Sequence, residues 1–207
     1  MRRILAALCL AFFAGAVGAQ DVAPDALIKR ITDEVIRIIK QDKDIRAGNR
    51  AKINALVEAK VLPHFNFERM TALAMGRNWR KANPAQQKTL VDEFRTLLVH
   101  TYSGALAEYK NEAIEVLPLR AAPTDTDVDV RTQVKRPGTQ PIGIDYSMEK
   151  TADGWKVYDV VIAGVSLVTN YRDTFNAQVR DGGVDGLIKT LAEKNRTLEI
   201  RNSAKSK

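Results

Sequence analysis

One stretch of the sequence, Trp155 to Phe175, constrains the fold most, because it joins a doubly buried strand to an apolar helix. Its first half is rich in residues that favour strands, and the turn at residues 152–154 precedes it. Apolar residues fall on both sides of the two-residue alternation, so we expect neither face of this strand to be solvated. Residues 163–164 end the strand, and Ser166 is predicted to cap the helix that follows. The apolar side of that helix carries Leu167, Val168, Tyr171 and Phe175. The strand needs an apolar partner on each side, and the residues leave open whether the second partner is protein or ligand.

The N-terminal segment is typical of a secretory signal peptide. Arg2 and Arg3 precede an apolar run of about 14 residues, shorter than the roughly 20 that span a membrane, and small residues end it at Ala19. We therefore expect a signal peptide over 1–19 and a single domain over 20–207, with a disordered tail from about 202. Cys9, the only cysteine, lies in the signal peptide, so the mature protein would have no disulfide and no thiolate nucleophile.

The rest of the chain predicts an α+β fold. Apolar residues at helical spacing indicate a helix over about 25–43 and a second one through residues 53–57 that ends before Pro63. They also indicate helices over 65–75 and over about 84–109. The period then changes to two, which predicts four strands joined by short turns, and residues 182–183 separate two final helices. Helices, an antiparallel meander and helices again are typical of the α+β class.

The central stretch also resembles a known family. The runs Asp159-Val160-Val161, Gly164-Val165-Ser166-Leu167-Val168 and Asn170-Tyr171-Arg172, with Phe175, resemble the MlaC family of periplasmic phospholipid carriers, also called toluene-tolerance proteins. The resemblance implies an NTF2-like curved antiparallel sheet of about four strands with helices packed over it, enclosing an apolar cavity.

The same resemblance implies a function. It predicts a soluble, monomeric periplasmic carrier that binds the acyl chains of a phospholipid and moves it between the outer and inner membranes to maintain outer-membrane lipid asymmetry. The implied partners are an inner-membrane ABC transporter with an MCE-domain protein and an outer-membrane lipoprotein–porin complex. No catalysis and no cofactor are expected, the bound phospholipid being the ligand.

We expect the cavity between the inward face of the sheet and the helices before and after it. Arg172 could hold a phosphate at the cavity mouth or could instead pair with Asp159 or Asp173. The candidate lipid-binding residues are Leu73, Met75, Trp79, Phe94, Leu98, Tyr102, Val130, Ile144, Tyr146, Val157, Val161, Val165, Val168, Tyr171, Arg172 and Phe175.

Two residues of the central stretch raise the alternative of an enzyme. Ser166 lies between a strand and a helix, as a nucleophile does, but Val168 stands where the G-x-S-x-G pattern needs glycine, which favours a helix cap. Asp159 is predicted to share a face with Trp155 and Val157. It could be the general base of an isomerase, with Tyr146 or Tyr171 donating a hydrogen bond to the oxyanion. Alternatively, it could stay ionised and accept hydrogen bonds from the backbone or from Arg172.

The remaining composition excludes several classes of function. The chain has two histidines and no motif with metal-ligand spacing. Its net charge is +7, or +5 without Arg2 and Arg3, and no basic run alternates with aromatic residues as in nucleic-acid binding. Such a charge suits an anionic lipid surface, an acidic partner or simply a basic surface. A lipid carrier, a small-molecule isomerase and an adaptor with a filled core remain as the three hypotheses.

Overall fold

The structure is a computed structural model that describes residues 22–204. The predicted signal peptide lies outside these residues, as do the last three residues of the chain. The helices are α1 (Pro24–Gln41), α2 (Lys43–Arg46), α3 (Arg50–Lys60), α4 (Phe67–Met75), α5 (Pro84–Tyr102) and α6 (Leu167–Ala204). The strands are β1 (Ala113–Val116), β2 (Asp127–Lys135), β3 (Ile142–Thr151), β4 (Gly154–Ile162) and β5 (Val165–Ser166).

Local sequence signals set the helix starts. Asn83 accepts a hydrogen bond from the backbone N–H of Gln86, whose side chain in turn accepts one from the backbone of Asn83, and Pro84 occupies the first helical position. Asn49 and Asn66 cap α3 and α4, each by accepting a hydrogen bond from the backbone N–H three residues further on. The helix predicted over 84–109 ends earlier, at Tyr102, where a short 3-10 turn, Ser103–Leu106, takes over.

The strands form one antiparallel sheet in the order β1-β2-β3-β4-β5. The predicted α+β class is therefore confirmed, and the sheet has five strands rather than about four. The fifth is a two-residue strand that pairs Val161 with Ser166 and Ile162 with Val165, an arrangement too short to leave a period-two pattern in the sequence. The NTF2-like description of this sheet stays a prediction.

A β-bulge in β4 changes which side chains face the core. Met148 pairs with Val157 and Ser147 pairs with Asp159, so Tyr158 is an extra residue in its strand. The alternation shifts by one at this point, and Val160 joins Trp155 and Val157 in the buried cluster of the inward face. The prediction that Asp159 shares a face with Trp155 and Val157 is wrong for this reason.

The core has two main parts. One is helical, built by α4, α5 and α6, and Phe94 lies at its centre with ring centroids 5.0 Å from Tyr171 and 5.1 Å from Phe175. The other lies between α1 and the inward face of the sheet, where Leu27 and Ile28 pack with Val130 and Met148. The strand β4 contacts both parts, because Val157 and Val160 belong to the second and Tyr158 packs against the first.

The C-terminal helix has a break at the predicted position. Gly183 has φ 68° and ψ −172° within α6, where residues 182–183 were expected to separate two helices. The tail differs from the prediction, because α6 continues to Ala204. Asn202 is buried there and donates a hydrogen bond of 3.1 Å to the carbonyl oxygen of His100.

Candidate functional site

The site is an apolar pocket of about 440 Å³ between α1 and the inward face of the sheet. From α1 its wall takes Ile28, Ile31, Thr32, Val35, Ile36 and Ile39. From the sheet it takes Ile114, Val134, Ile142, Ile144, Tyr146, Val157 and Ile162. The connecting segments add Val61, His64, Phe65, Ala105, Leu106, Tyr109, Glu112 and Arg136.

Helical and strand periodicities together produce this apolar wall. On α1, isoleucine and valine recur every three or four residues, which aligns them on the side that faces the sheet. On β2 and β3 alternate residues face inward, and after the bulge Ile162 rejoins that face of β4. The segment before α4 completes the wall, because the backbone N–H of Asn66 donates to the carbonyl oxygen of Val157 at 2.8 Å and so holds Phe65 beside β4.

The pocket is closed at one end and open at the other. At the closed end Leu27, Val128 and Trp155 are buried in one cluster. At the other end β1 and β3 begin and β2 and β4 end, and here Ile142 is 41% exposed. The side chain of Arg136, in the same place, is 50% exposed. This end of the sheet is therefore the mouth of the pocket.

The polar groups inside the pocket are uncharged at neutral pH. Burial raises the pKa of the Tyr146 phenol to about 12, with a hydrogen bond to Thr132 acting in the opposite direction. Burial also lowers the pKa of His64, helped by the positive charges of Lys156 and Arg30. Both side chains can therefore line an apolar ligand without presenting a charge to it.

At the mouth a buried carboxylate pairs with an arginine. Glu112 Oε1 accepts a hydrogen bond from Arg136 Nε at 2.8 Å, and Glu112 Oε2 accepts one from the backbone N–H of Lys110 at 2.6 Å. Burial of Glu112 opposes its ionisation, but backbone N–H groups and Arg136 outweigh this effect and lower its pKa. Both members of the pair are therefore charged, Glu112 negatively and Arg136 positively.

The structure brings three of the sixteen predicted lipid-binding residues to this pocket: Ile144, Tyr146 and Val157. Val130 lies in the filled part of the same sheet face. The helical core contains Met75, Phe94, Leu98, Val168, Tyr171 and Phe175, with Leu73 and Trp79 packed against it. Tyr102 and Val165 are exposed, and Val161 is partly buried, with β3 and β5 on either side of it. In the described part of the chain, these twelve residues and Arg172 line no part of the apolar pocket, and their contact with lipid stays a prediction.

The predicted list therefore omits most of the wall, above all the face of α1. The sequence does show an apolar face on α1, because Ile28, Ile31, Val35 and Ile39 lie on one side of the helix. Ile36 makes this apolar face wider. An apolar face of this width shows that a helix is packed against something, but it does not show against which surface.

The residues considered for catalysis have structural partners. Asp159 Oδ1 accepts hydrogen bonds from the backbone N–H groups of Val160 at 2.8 Å and Val168 at 3.1 Å, and Asp159 Oδ2 accepts one from Ser166 Oγ. Ser166 Oγ accepts a hydrogen bond from the N–H of Thr169 at 3.0 Å, which confirms the predicted helix cap. Arg172 Nε donates to the carbonyl oxygen of Leu73 at 3.1 Å, a third arrangement beside the two considered from the sequence.

Residues 22–204 lack the features of two other kinds of site. Among these residues no three or more His, Cys, Asp or Glu side chains are grouped so that they could hold a metal ion. None of the helices in that part of the chain combines the length and the apolar character needed to cross a membrane.

Comparison with known proteins decides the family. The sequence profile described as MlaC protein matches residues 29–193, which is most of the chain. This chain belongs to the MlaC family. The resemblance seen in the central stretch is thereby confirmed.

Curated relatives and a solved structure agree with this membership. The chain is 22% identical over 193 residues to the intermembrane phospholipid transport system binding protein MlaC of Haemophilus influenzae, covering 92% of this chain and 90% of that protein. It is 28% identical over 196 residues to the toluene tolerance protein ttg2D of Pseudomonas putida, covering 92% and 87%. The solved phospholipid-binding protein from Ralstonia solanacearum, in complex with a phospholipid, is 43% identical with a TM-score of 0.79, covering 84% of this chain and 98% of that one.

Proposed function

We propose that this protein is a phospholipid carrier that holds acyl chains in the pocket between α1 and the sheet. The observation that carries the proposal is the wall of that pocket. Among the described residues this wall is apolar almost throughout, and its charged pair lies at the mouth. Membership of the MlaC family supports the same conclusion, since the Ralstonia solanacearum relative is a phospholipid-binding protein in complex with a phospholipid.

The free energies of transfer explain how such a pocket exchanges lipid with a membrane. Burying one methylene group gains about 0.8 kcal/mol, so an acyl chain of about 15 methylenes gains on the order of 12 kcal/mol over water. A bilayer offers nearly the same gain, because its interior is equally apolar. The carrier therefore needs no chemical step to load or release its ligand, only a pocket that matches the bilayer closely.

The volume of the pocket indicates how much lipid it holds in this conformation. An apolar cavity of about 150 Å³ binds one benzene molecule, which corresponds to a cavity volume of about 25 Å³ for each carbon atom. At that ratio a pocket of about 440 Å³ accommodates about 18 carbons, which is one acyl chain. A lipid with two chains thus requires the wall to move outward. In the described structure α1 is joined to the rest of the fold mainly by apolar contacts, with the Lys60–Glu34 ion pair beside them.

The carrier hypothesis is favoured over the two alternatives. The candidate base Asp159 accepts three hydrogen bonds and is not part of the pocket wall, so the isomerase would lack its base at the ligand. An adaptor with a filled core would lack a pocket of this size. We therefore propose a carrier without catalytic activity and without a cofactor.

We further propose that the carrier works in the periplasm, between the inner and outer membranes, and contributes to outer-membrane lipid asymmetry. The Haemophilus influenzae relative, an intermembrane phospholipid transport system binding protein, supports this location. So does the N-terminal segment, with its two arginines, apolar run and small residues before Gln20. The proposed partners are an inner-membrane ABC transporter with an MCE-domain protein and an outer-membrane lipoprotein–porin complex.

Mass analysis of the periplasmic protein should find a chain that begins at Gln20. A mature chain that keeps Arg2 and Arg3 would contradict the periplasmic location.

Lipid analysis of the purified protein tests the central proposal. Native mass spectrometry should find folded protein with bound phospholipid, and the delipidated protein should take up phospholipid from vesicles and deliver it to acceptor vesicles. Folded protein that neither co-purifies with lipid nor transfers it would contradict the carrier function. Turnover of a small molecule that depends on Asp159 would favour the isomerase instead.

A further inference from the structure

The charged side chains of the pocket wall are confined to its mouth. Among the described residues that form the wall, Glu112 and Arg136 are the two with a formal charge at neutral pH. They lie at the end of the sheet where Ile142 is exposed, away from the closed end at Trp155. The pocket thus changes from apolar to charged at a single place.

Strand register explains why both charges face the pocket. Ile114 pairs with Val134, and both line the pocket, while the next pair outward, Ala113 with Lys135, faces the other way. One step further, Glu112 and Arg136 return to the pocket side, about 7 Å beyond Ile114 and Val134. The charged pair therefore continues the apolar row of the sheet at its open end.

The two members of the pair differ in their exposure to water. The Glu112 side chain is 6% exposed and is fixed by Arg136 Nε and the N–H of Lys110, whereas the Arg136 side chain is 50% exposed. A guanidinium carries five N–H donors in a planar fork, and the bond of 2.8 Å to Glu112 is made by Nε. Its two Nη groups can still offer the paired donors that suit phosphate oxygens.

We propose that Arg136 binds the phosphate group of the phospholipid at the mouth of the pocket. This proposal rests on the proposed function, because the acyl chains must fill the apolar pocket for the phosphate to reach the charged end. Arg172, the sequence-based candidate for this role, lies instead against the carbonyl oxygen of Leu73 beside the helical core. Glu112 holds the Nε side of the guanidinium, and the phosphate occupies the Nη side.

Two ligands with the same acyl chains test the proposal. Binding of dioleoyl phosphatidylglycerol and of dioleoylglycerol, which lacks the phosphate, is measured on the delipidated full-length protein and its variants. The wild type should prefer the phospholipid by about tenfold, the size of one charge-assisted contact. Arg136→Gln should lose this preference and bind dioleoylglycerol as the wild type does.

Lys135→Gln is the matched control, because it removes a positive charge from the adjacent residue on the other face of the strand. It should keep the preference. Glu112→Gln with Arg136→Gln is the second variant. It leaves no buried carboxylate without its partner, so it should fold and should lose the preference as the single variant does.

The outcomes separate this proposal from the function on which it rests. Equal binding of both lipids by the wild type, or an equal loss in Lys135→Gln, would overturn the role of Arg136 and leave the carrier function intact. Weaker binding of both lipids by Arg136→Gln would also overturn it, since the pocket and not the phosphate contact would be affected. Saturable binding of inorganic phosphate to Arg136 together with no preference between the lipids would show a free-phosphate site. Failure of every variant and the wild type to bind either lipid would refute the carrier function itself.

Discussion

Asp159 shows how one partly buried polar side chain fixes the junction of a strand and a helix. Its carboxylate accepts hydrogen bonds from the backbone on both sides of the β4–β5 turn and from Ser166 Oγ, while Ser166 caps α6. The turn itself is strained, because Ala163 has a φ of 49°, in the left-handed region that favours glycine. The contacts of Asp159 therefore hold together a junction that the backbone alone would not favour.

Removal of these contacts should lower stability without affecting lipid content. Ser166→Ala should reduce the free energy of unfolding by about 1 kcal/mol, the usual cost of a lost helix cap. Asp159→Ala should reduce it by about 2–3 kcal/mol, because it leaves buried backbone N–H groups without an acceptor. Urea denaturation measures both. Ser147→Ala, which removes an exposed hydrogen bond to Asp129, is the control and should change stability by less than about 0.5 kcal/mol. Unchanged stability in Asp159→Ala would contradict the structural role.

His64 gives the protein a dependence of stability on pH. Burial is the main cause that lowers its pKa below the ordinary value of 6.5, so the unfolded chain binds this proton more tightly than the folded one. The free energy of unfolding should therefore fall as the pH drops below about 6.5. Urea denaturation at pH 7.5 and 5.5 should show a smaller decrease for His64→Gln than for the wild type. An equal decrease in both proteins would assign the effect to other groups.

At the scale of elements, the break in α6 lets one long segment cover the helical core. Gly183 has a backbone conformation that is essentially restricted to glycine, whereas its neighbour Gly182 is helical. Residues on both sides of the break, such as Phe175 and Leu187, are buried in the same cluster. A continuous helix would carry the second half away from the core.

The two glycines should therefore respond in opposite directions to the same substitution. Gly183→Ala should destabilise the fold by about 1–3 kcal/mol, because alanine is strained at this φ and ψ. Gly182→Ala should be neutral or stabilising by up to about 1 kcal/mol, as expected in a helix. Open space surrounds both positions, so the backbone alone distinguishes them. Thermal unfolding of the two variants measures the difference, and equal effects would contradict the break at Gly183.

At the scale of the whole molecule, the fold combines a filled core with an unfilled one. The helices α4, α5 and α6 pack closely around Phe94. In the second core α1 meets the sheet fully only at the closed end, and the remaining space is the pocket. One fold thus combines a stable support with a ligand site that contributes less to stability.

A larger side chain should reveal this difference. Ile144→Trp fills the pocket and should give folded protein that carries less phospholipid, because the new ring occupies the space of the acyl chain. Val130→Phe overfills the packed part of the same sheet face and should cost about 1–3 kcal/mol. Lipid content and urea denaturation are measured for both variants. Strong destabilisation by Ile144→Trp with unchanged lipid content would show that the pocket is not the lipid site.

The sequence by itself determined the local structure and the class of the fold. Helix caps such as Asn83, the change of period after residue 113, and the break at residues 182–183 are encoded by neighbours in the chain, so periodicity and capping rules detect them. The runs around Asp159 and Tyr171 likewise sufficed for the family.

Only the tertiary structure decided where the pocket lies and which residues line it. The bulge at Tyr158 reversed the expected orientation of Asp159, and such an extra residue appears only when β4 is paired with β3. The apolar faces of α1 and of the later helices look alike in sequence. Their difference arises from packing, because α6 packs closely with α4 and α5 whereas α1 leaves about 440 Å³ between itself and the strands. Unfilled volume depends on how two surfaces pack together, so it cannot be inferred from the sequence of either surface alone.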